Sequence, residues 1–219
     1  MTIKIKEKKM KKTLLLIFAC LIGFSTIAAA KEIALEKVNL TGRPFMQAFE
    51  YRASSRNFTD KSFDITTLSE LLWAAGGVNR PNGGRTYPTA MDAREIEIYV
   101  FDKTGAYLYD PENTKLVSVA GGDKRADTGV QDFVAKASIN LVYVSDFSKL
   151  KGSDDNQKMV LSAISAGAIT QNVALYCASR GLGNVVRASF DGDKLSKILK
   201  LGNTKRVVIV QSAGYTNIF

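Results

Sequence analysis

The chain has 219 residues, 46% of them hydrophobic, and a formal net charge of +9 with no histidine at all. The missing imidazole excludes Ser-His-Asp chemistry and His-dependent proton shuttling and argues against a conventional zinc site, so any reaction here draws on a bound cofactor. Six of the 30 Lys and Arg and one of the 21 Asp and Glu fall in the first thirty positions; the other 189 residues carry only +4, which suits an anionic small molecule rather than a nucleic-acid surface.

The N-terminus reads as a secretory signal peptide over residues 1–30. Lys4 to Lys12 form a basic head, Thr13 to Ile27 an apolar run, and Ala28-Ala29-Ala30 a small-residue cleavage site. A retained membrane anchor and lipidation at Cys20, which follows Ala19, are the alternatives. Cleavage predicts an exported protein of the periplasm or cell envelope, with membrane association only through a lipid anchor. Residues 31–219 then form one domain, whose single cysteine, Cys177, allows no internal disulfide and sits in an apolar helical run as a small buried hydrophobe.

Along the chain, Pro44 marks the first turn of a short helix with Phe45, Met46 and Phe49 on its apolar side, ending near Arg52. Arg52-Ala53-Ser54-Ser55-Arg56-Asn57-Phe58 then places two guanidinium forks and a hydroxyl at i, i+2 and i+4, either a phosphate-binding set or an exposed basic turn. Thr67-Leu68-Ser69-Glu70 has the form of a capping box opening a helix that Gly76-Gly77 ends. Asn79 to Pro88 is a Gly-, Pro- and Arg-rich loop. Glu95 to Val100 alternates as a strand with one wet face and turns at Asp102-Lys103-Thr104-Gly105 into a partner over Ala106 to Tyr109, with a further short strand at Leu116 to Val119.

Gln131 to Lys136 predicts a brief helix, in which Gln131 is either a surface residue or a pocket wall. Ile139 to Val144 has the apolar, β-branched pattern of a central buried strand. After a charged loop over Lys149 to Gln157, Met159 to Arg180 is the longest helix. It is apolar on nearly every side, which one domain of this size covers poorly and a subunit interface covers well. Gly181 caps it, Gly183 and Asn184 belong to the turn that follows, Asp193 to Leu199 is a short helix, and Arg206 to Val210 a last strand.

Together these segments resemble the FMN-dependent nitroreductase family from Arg43 to Tyr215. The resemblance rests on Arg52 to Phe58, Leu71-Leu72-Trp73-Ala74-Ala75-Gly76-Gly77, Arg85-Thr86-Tyr87-Pro88-Thr89-Ala90, and Gly105 to Pro111. Gly167-Ala168-Ile169-Thr170-Gln171-Asn172, Gly181-Leu182-Gly183 and Gly214-Tyr215 complete it. It implies an α+β fold with a mixed central sheet flanked by helices, an intertwined homodimer with FMN at the interface, and electron transfer through flavin N5. The donor would be NADH, NADPH or another reductant, the acceptor a nitroaromatic, quinone or similar small molecule, and the kinetics ping-pong. No side chain is then required as catalytic acid or base.

By the same resemblance Arg52, Ser54 and Arg56 match phosphate and ribityl contacts, and Pro88, Thr89 and Ala90 a loop at the flavin edge. Gly183 and Asn184 lead to backbone amides of Ala188 and Ser189 near N5. Asp92 and Arg94 fall where many relatives carry Asn and Gln, and an Asp there opposes a reduced anionic flavin. The sequence stops at Thr216-Asn217-Ile218-Phe219, without the cation many relatives place after Gly-Tyr. The resemblance therefore leaves the phosphate to Arg52 and Arg56, with Lys205 or Arg206, and implies weak FMN retention. An inactive flavin-binding relative, or an interaction module without flavin, are the competing functions.

Overall fold

The structure is a computed structural model that describes residues 30–151 and 154–217. The expected signal peptide and Cys20 lie outside the described residues, except for Ala30. One seven-stranded sheet organises the rest, in the order β1-β4-β3-β2-β5-β7-β6. The strands are β1 (Glu32–Ala34), β2 (Ile96–Phe101), β3 (Gly105–Asp110), β4 (Lys115–Gly121), β5 (Ile139–Asp146), β6 (Gly183–Arg187) and β7 (Lys205–Gly214). The helices are α1 (Phe45–Tyr51), α2 (Ile65–Gly76), α3 (Asp155–Arg180) and α4 (Gly192–Leu199).

The α+β class and the flanking helices are as expected, but the sheet is not mixed: all six neighbouring pairs are antiparallel. The crossover β5–α3–β6 does produce two strands running the same way. They are not neighbours, because β7 returns between them in the opposite direction and pairs with both.

Two apolar layers cover the sheet. On one face Leu71 and Leu72 of α2 and Ile169, Val173 and Cys177 of α3 pack on Ile98, Val100, Tyr107, Leu141 and Tyr143. On the other, Leu195 and Leu199 of α4 pack on Tyr99, Phe101, Val142, Val144 and Val210. Each fully buried Leu or Ile contributes about 1.5–3 kcal/mol. The second layer corrects the reading of β2, whose supposed wet face is covered: Tyr99 and Phe101 are buried and Glu97 is tied to Lys205 at 2.7 Å.

Helix boundaries moved for reasons of capping. Asp64, not Thr67, caps α2 by accepting the Thr67 N–H at 2.7 Å, and the helix starts one turn before the expected capping box. Glu70 is then free of capping and lies buried against the Tyr176 hydroxyl at 2.9 Å and Arg180 at 3.2 Å. Asp154 caps α3, which begins inside the stretch expected to be loop. Gly181 ends α3 with φ 68°, a left-handed conformation that favours glycine. Gly183 and Asn184 are not in a turn; they open β6 and pair with Gly214 and Ala213.

Cys177 is fully buried in α3, and burial pushes its thiol well above its ordinary range. Ellman's reagent is therefore expected to leave the native protein unlabelled at pH 8 and to titrate Cys177 only after denaturation.

Candidate functional site

The Arg52–Phe58 segment leaves α1 at its C-cap and is held on three sides. The Ser55 N–H donates to the Asn184 carbonyl of β6 at 2.7 Å, and the Thr59 N–H donates to Tyr215 O at 3.1 Å. The Asp60 N–H donates to Lys136 O at 3.1 Å, and Phe58 forms a bridge with Thr216. Ser55 is buried, so Arg52, Ser54 and Arg56, on the opposite side of the extended chain, are exposed. Gly183 makes this seat possible: a Cβ there would lie 3.0 Å from Ser55 Oγ and 3.3 Å from Phe58. Its role in this chain is close packing of the arginine segment.

Asp60 is the anchor of the segment. It pairs with Lys103 at 3.2 Å and with Arg125 at 3.3 Å, while the buried Arg125 also takes Asp123 at 2.8 Å and donates to Ala137 O at 2.6 Å. Hydrogen bonding to Arg125 holds Asp123 below the ordinary carboxylate range. A depressed folded pKa stabilises the fold above the unfolded value of about 3.9 and loses that contribution as pH falls through the folded value. Asp123→Asn is accordingly expected to flatten the acid limb of the stability–pH curve below about pH 4, measured by urea unfolding at successive pH values.

Arg56 lines an open cleft of about 1020 Å3 together with Phe58, Gln131, Phe133, Lys136 and Asn217. Gln131 is therefore part of a pocket wall, at the N-cap of a short 3-10 turn (Asp132–Lys136), and its Oε1 is buried without a hydrogen-bond partner. Arg56 and Lys136 form no ion pair among the described residues. Lys136, Phe133 and Asn217 were not singled out from the sequence. Lys205 and Arg206, proposed there as phosphate cations, stand at the far end of β7, about 30 Å from Gly214 at ~3.3 Å per residue; they pair with Glu97 and Asp155 instead.

The Pro88–Arg94 loop lies elsewhere on the chain. Among the described residues no hydrogen bond or ion pair joins it to residues 52–57. Pro88 is exposed and Thr89 and Ala90 are partly covered; Met91, Asp92 and Arg94 take positive φ of 50°, 55° and 48°. Such backbone costs ~1–3 kcal/mol per residue and persists only when its surroundings enforce it. Here Arg94 grips Asp92 with both arms, at 2.9 and 2.7 Å, and its N–H donates to Thr89 Oγ1 at 3.2 Å. That hydrogen bonding holds Asp92 below its ordinary range and raises Arg94, so the pair is ionised and mutually neutralised. Ala188 and Ser189 are exposed immediately after β6.

A model of the nitroreductase family matches residues 49–215. A solved structure from Ralstonia eutropha JMP134, assigned as a nitroreductase, is 36% identical with a TM-score of 0.81, covering 88% of this chain and 92% of its own. A Methanocaldococcus jannaschii protein with the same assignment is 28% identical over 68% of this chain and 81% of its own. The Parabacteroides distasonis structure named as an NADH dehydrogenase/NAD(P)H nitroreductase is 18% identical with a TM-score of 0.55, covering 80% of this chain and 88% of its own, and shows the fold alone. On the length of the family match and the Ralstonia identity, this chain belongs to the nitroreductase family of oxidoreductases.

Proposed function

We propose that this protein is an exported, homodimeric, FMN-dependent oxidoreductase that moves electrons from NADH, NADPH or another donor to a nitroaromatic, quinone or similar small acceptor. The observation that carries the reading is the cleft beside the Arg52–Phe58 segment. Two cations without an ion pair among the described residues, Arg56 and Lys136, stand there with the unpartnered Gln131 Oε1 and two aromatic rings, Phe58 and Phe133. Those groups fit FMN: the cations suit a phosphate dianion, Gln131 Oε1 accepts from an N–H, and the rings suit a planar heterocycle. When bound, FMN supplies the hydride and electron chemistry. The chain's own part is to bind and orient, with Arg52, Ser54 and Arg56 toward the phosphate and ribityl chain and the loop of Pro88, Thr89, Ala90, Asp92 and Arg94 toward the ring.

The separation of these two groups of residues within one chain supports a site completed by a second copy. So does the apolar surface: Phe45, Met46 and Phe49 of α1 are exposed, as are Val160 and Ile164 of α3. The Asp92–Arg94 pair removes one of the two grounds for an inactive relative, the charge of Asp92; the other is the missing cation after Gly214-Tyr215. Export rests on the sequence of residues 1–30.

The test is an absorbance spectrum of purified protein given FMN, desalted, and then reduced anaerobically with NADH or NADPH. Retained flavin absorbance that bleaches on addition supports the reading. A colourless protein after FMN loading overturns it. Retained flavin that dithionite bleaches and nicotinamide does not would keep the flavin and overturn the nicotinamide donor.

A further inference from the structure

The central sheet splits between β2 and β3. Their pairing stops at Tyr99↔Leu108, whereas β2 stays paired with β5 back to Ile96 and β3 stays paired with β4 out to Asp110. Ile96, Glu97 and Ile98 thus face Tyr109 and Asp110 with no ladder between them. A cavity of about 290 Å3 occupies the gap. Its apolar lining includes Ile96, Ile98, Leu108 and Val117, and its polar lining includes Arg85, Tyr87 and Tyr109, with Arg94 and Lys149 nearer solvent. It shares no lining residue with the Arg56–Gln131 cleft.

The hydrogen-bond inventory of these walls is one-sided. Tyr87 and Tyr109 are each only 6% exposed; their hydroxyls stay open to water and make no hydrogen bond to a described residue. Arg85 holds Glu112 through Nη2 at 2.8 Å, which fixes the guanidinium, and leaves Nη1 buried without an acceptor. The two carboxylates that line the cavity already have donors. Glu97 receives Lys205 at 2.7 and 2.8 Å and the Tyr99 hydroxyl at 2.9 Å; Asp110 receives the Glu112 and Asn113 N–H groups and Asn113 Nδ2.

Burial pushes both phenols up to about 12, partly offset by Arg85, so both keep the proton they have to donate. Donors in surplus against satisfied acceptors call for a ligand that brings acceptors. Arg94 is neutralised by Asp92, so the pull on negative charge comes from the free Nη1 of Arg85 and from Lys149, which makes no ion pair among the described residues. Glu95 lies outside the lining, buried with no partner at either carboxylate oxygen among the described residues and close enough to raise Tyr87, which disfavours more than one negative charge on the ligand. At ~30 Å3 per water the space equals about ten waters, the scale of a single substituted ring.

We propose that this cleft binds a compact monocarboxylate with an aromatic or branched apolar body, the carboxylate at Arg85, Tyr87 and Tyr109 and the body against Ile96, Ile98, Leu108 and Val117. The site shares Arg94 with the loop proposed to face the flavin ring and otherwise uses residues that the flavin reading does not. Calorimetric titration of the purified protein with sodium benzoate, with and without saturating FMN, tests it. The expected result is saturable one-to-one binding that FMN does not displace, with uncharged benzamide at least tenfold weaker. The Y87F/Y109F variant weakens benzoate tenfold or more with an unchanged melting temperature, and Val117→Phe, which fills the space, abolishes binding. Absence of saturable binding overturns the proposal. So does displacement by FMN, which would place benzoate in the other cleft, or wild-type affinity in Y87F/Y109F or in Val117→Phe.

Discussion

Replacing Arg52 and Arg56 together by alanine is expected to weaken FMN binding by about two orders of magnitude while leaving the melting temperature within a degree or so. Charge-assisted hydrogen bonds to a phosphate or ribityl oxygen contribute ~1.5–3 kcal/mol each, so losing two of them costs at least about 3 kcal/mol of binding. Stability is spared because both side chains are exposed and neither makes a hydrogen bond or ion pair among the described residues, whereas the backbone of the segment is held by Ser55, Thr59 and Asp60. Flavin fluorescence titration reads the affinity directly. Unchanged affinity in R52A/R56A would remove the segment from the cofactor site. A single Lys136→Ala variant is expected to lie between wild type and the double variant.

The largest stability effect is expected at Arg187. Its side chain is buried between β6, β7 and the loop before Gln131, donating to Ser212 Oγ at 3.1 Å, to Thr128 O at 3.0 Å, to Thr128 Oγ1 at 3.4 Å and to Asn140 Oδ1 at 3.2 Å. It makes no ion pair among the described residues, and burial draws its pKa down to about 10. Arg187→Ala leaves buried acceptors unsatisfied and a void behind, at a cost of about 3–5 kcal/mol, lowering the urea midpoint sharply with little change in slope. Because a Cβ on Gly129 would strike Arg187 Nη1 and come within 3.2 Å of Gln131 Oε1, this guanidinium also packs the loop that carries Gln131. Weaker FMN binding should therefore accompany the loss of stability in R187A. A midpoint within experimental error of wild type would show that the network contributes nothing net.

Periodicity made the helices and the inner strands legible. The runs over Ile139 to Val144, Leu68 to Ala75 and Met159 to Arg180 contain many of the residues that the two apolar layers bury. Two strands escaped notice for physical reasons. β1 is only three residues long, and Gly183-Asn184-Val185-Val186-Arg187 begins with glycine and ends with arginine, so its pattern reads as a turn. The proposed site was legible only where it lies within one segment. Arg52, Ser54 and Arg56 stand out by spacing, but Lys136 and Phe133 are held at the same cleft by the Asp60 N–H donating to Lys136 O and by Arg125 donating to the neighbouring Ala137 O, which no local pattern encodes. Asp92 and Arg94 were read as separate departures from the family. Their meaning is joint, since each charge is held by the other across a strained turn.

The place of β7 in the sheet has a consequence for synthesis and transport. The strand between β5 and β6 comes from residues 205–214, near the end of the sequence given, so a nascent chain cannot close its sheet until that segment has emerged. Until then β5 keeps one open edge and α3 has only part of its floor. For the export proposed above, such delayed closure would favour a chain that is still open when it reaches the membrane. It also exposes an apolar strand edge that invites pairing with other chains, so a slowed or truncated C-terminus should appear as aggregation rather than as a stable fragment.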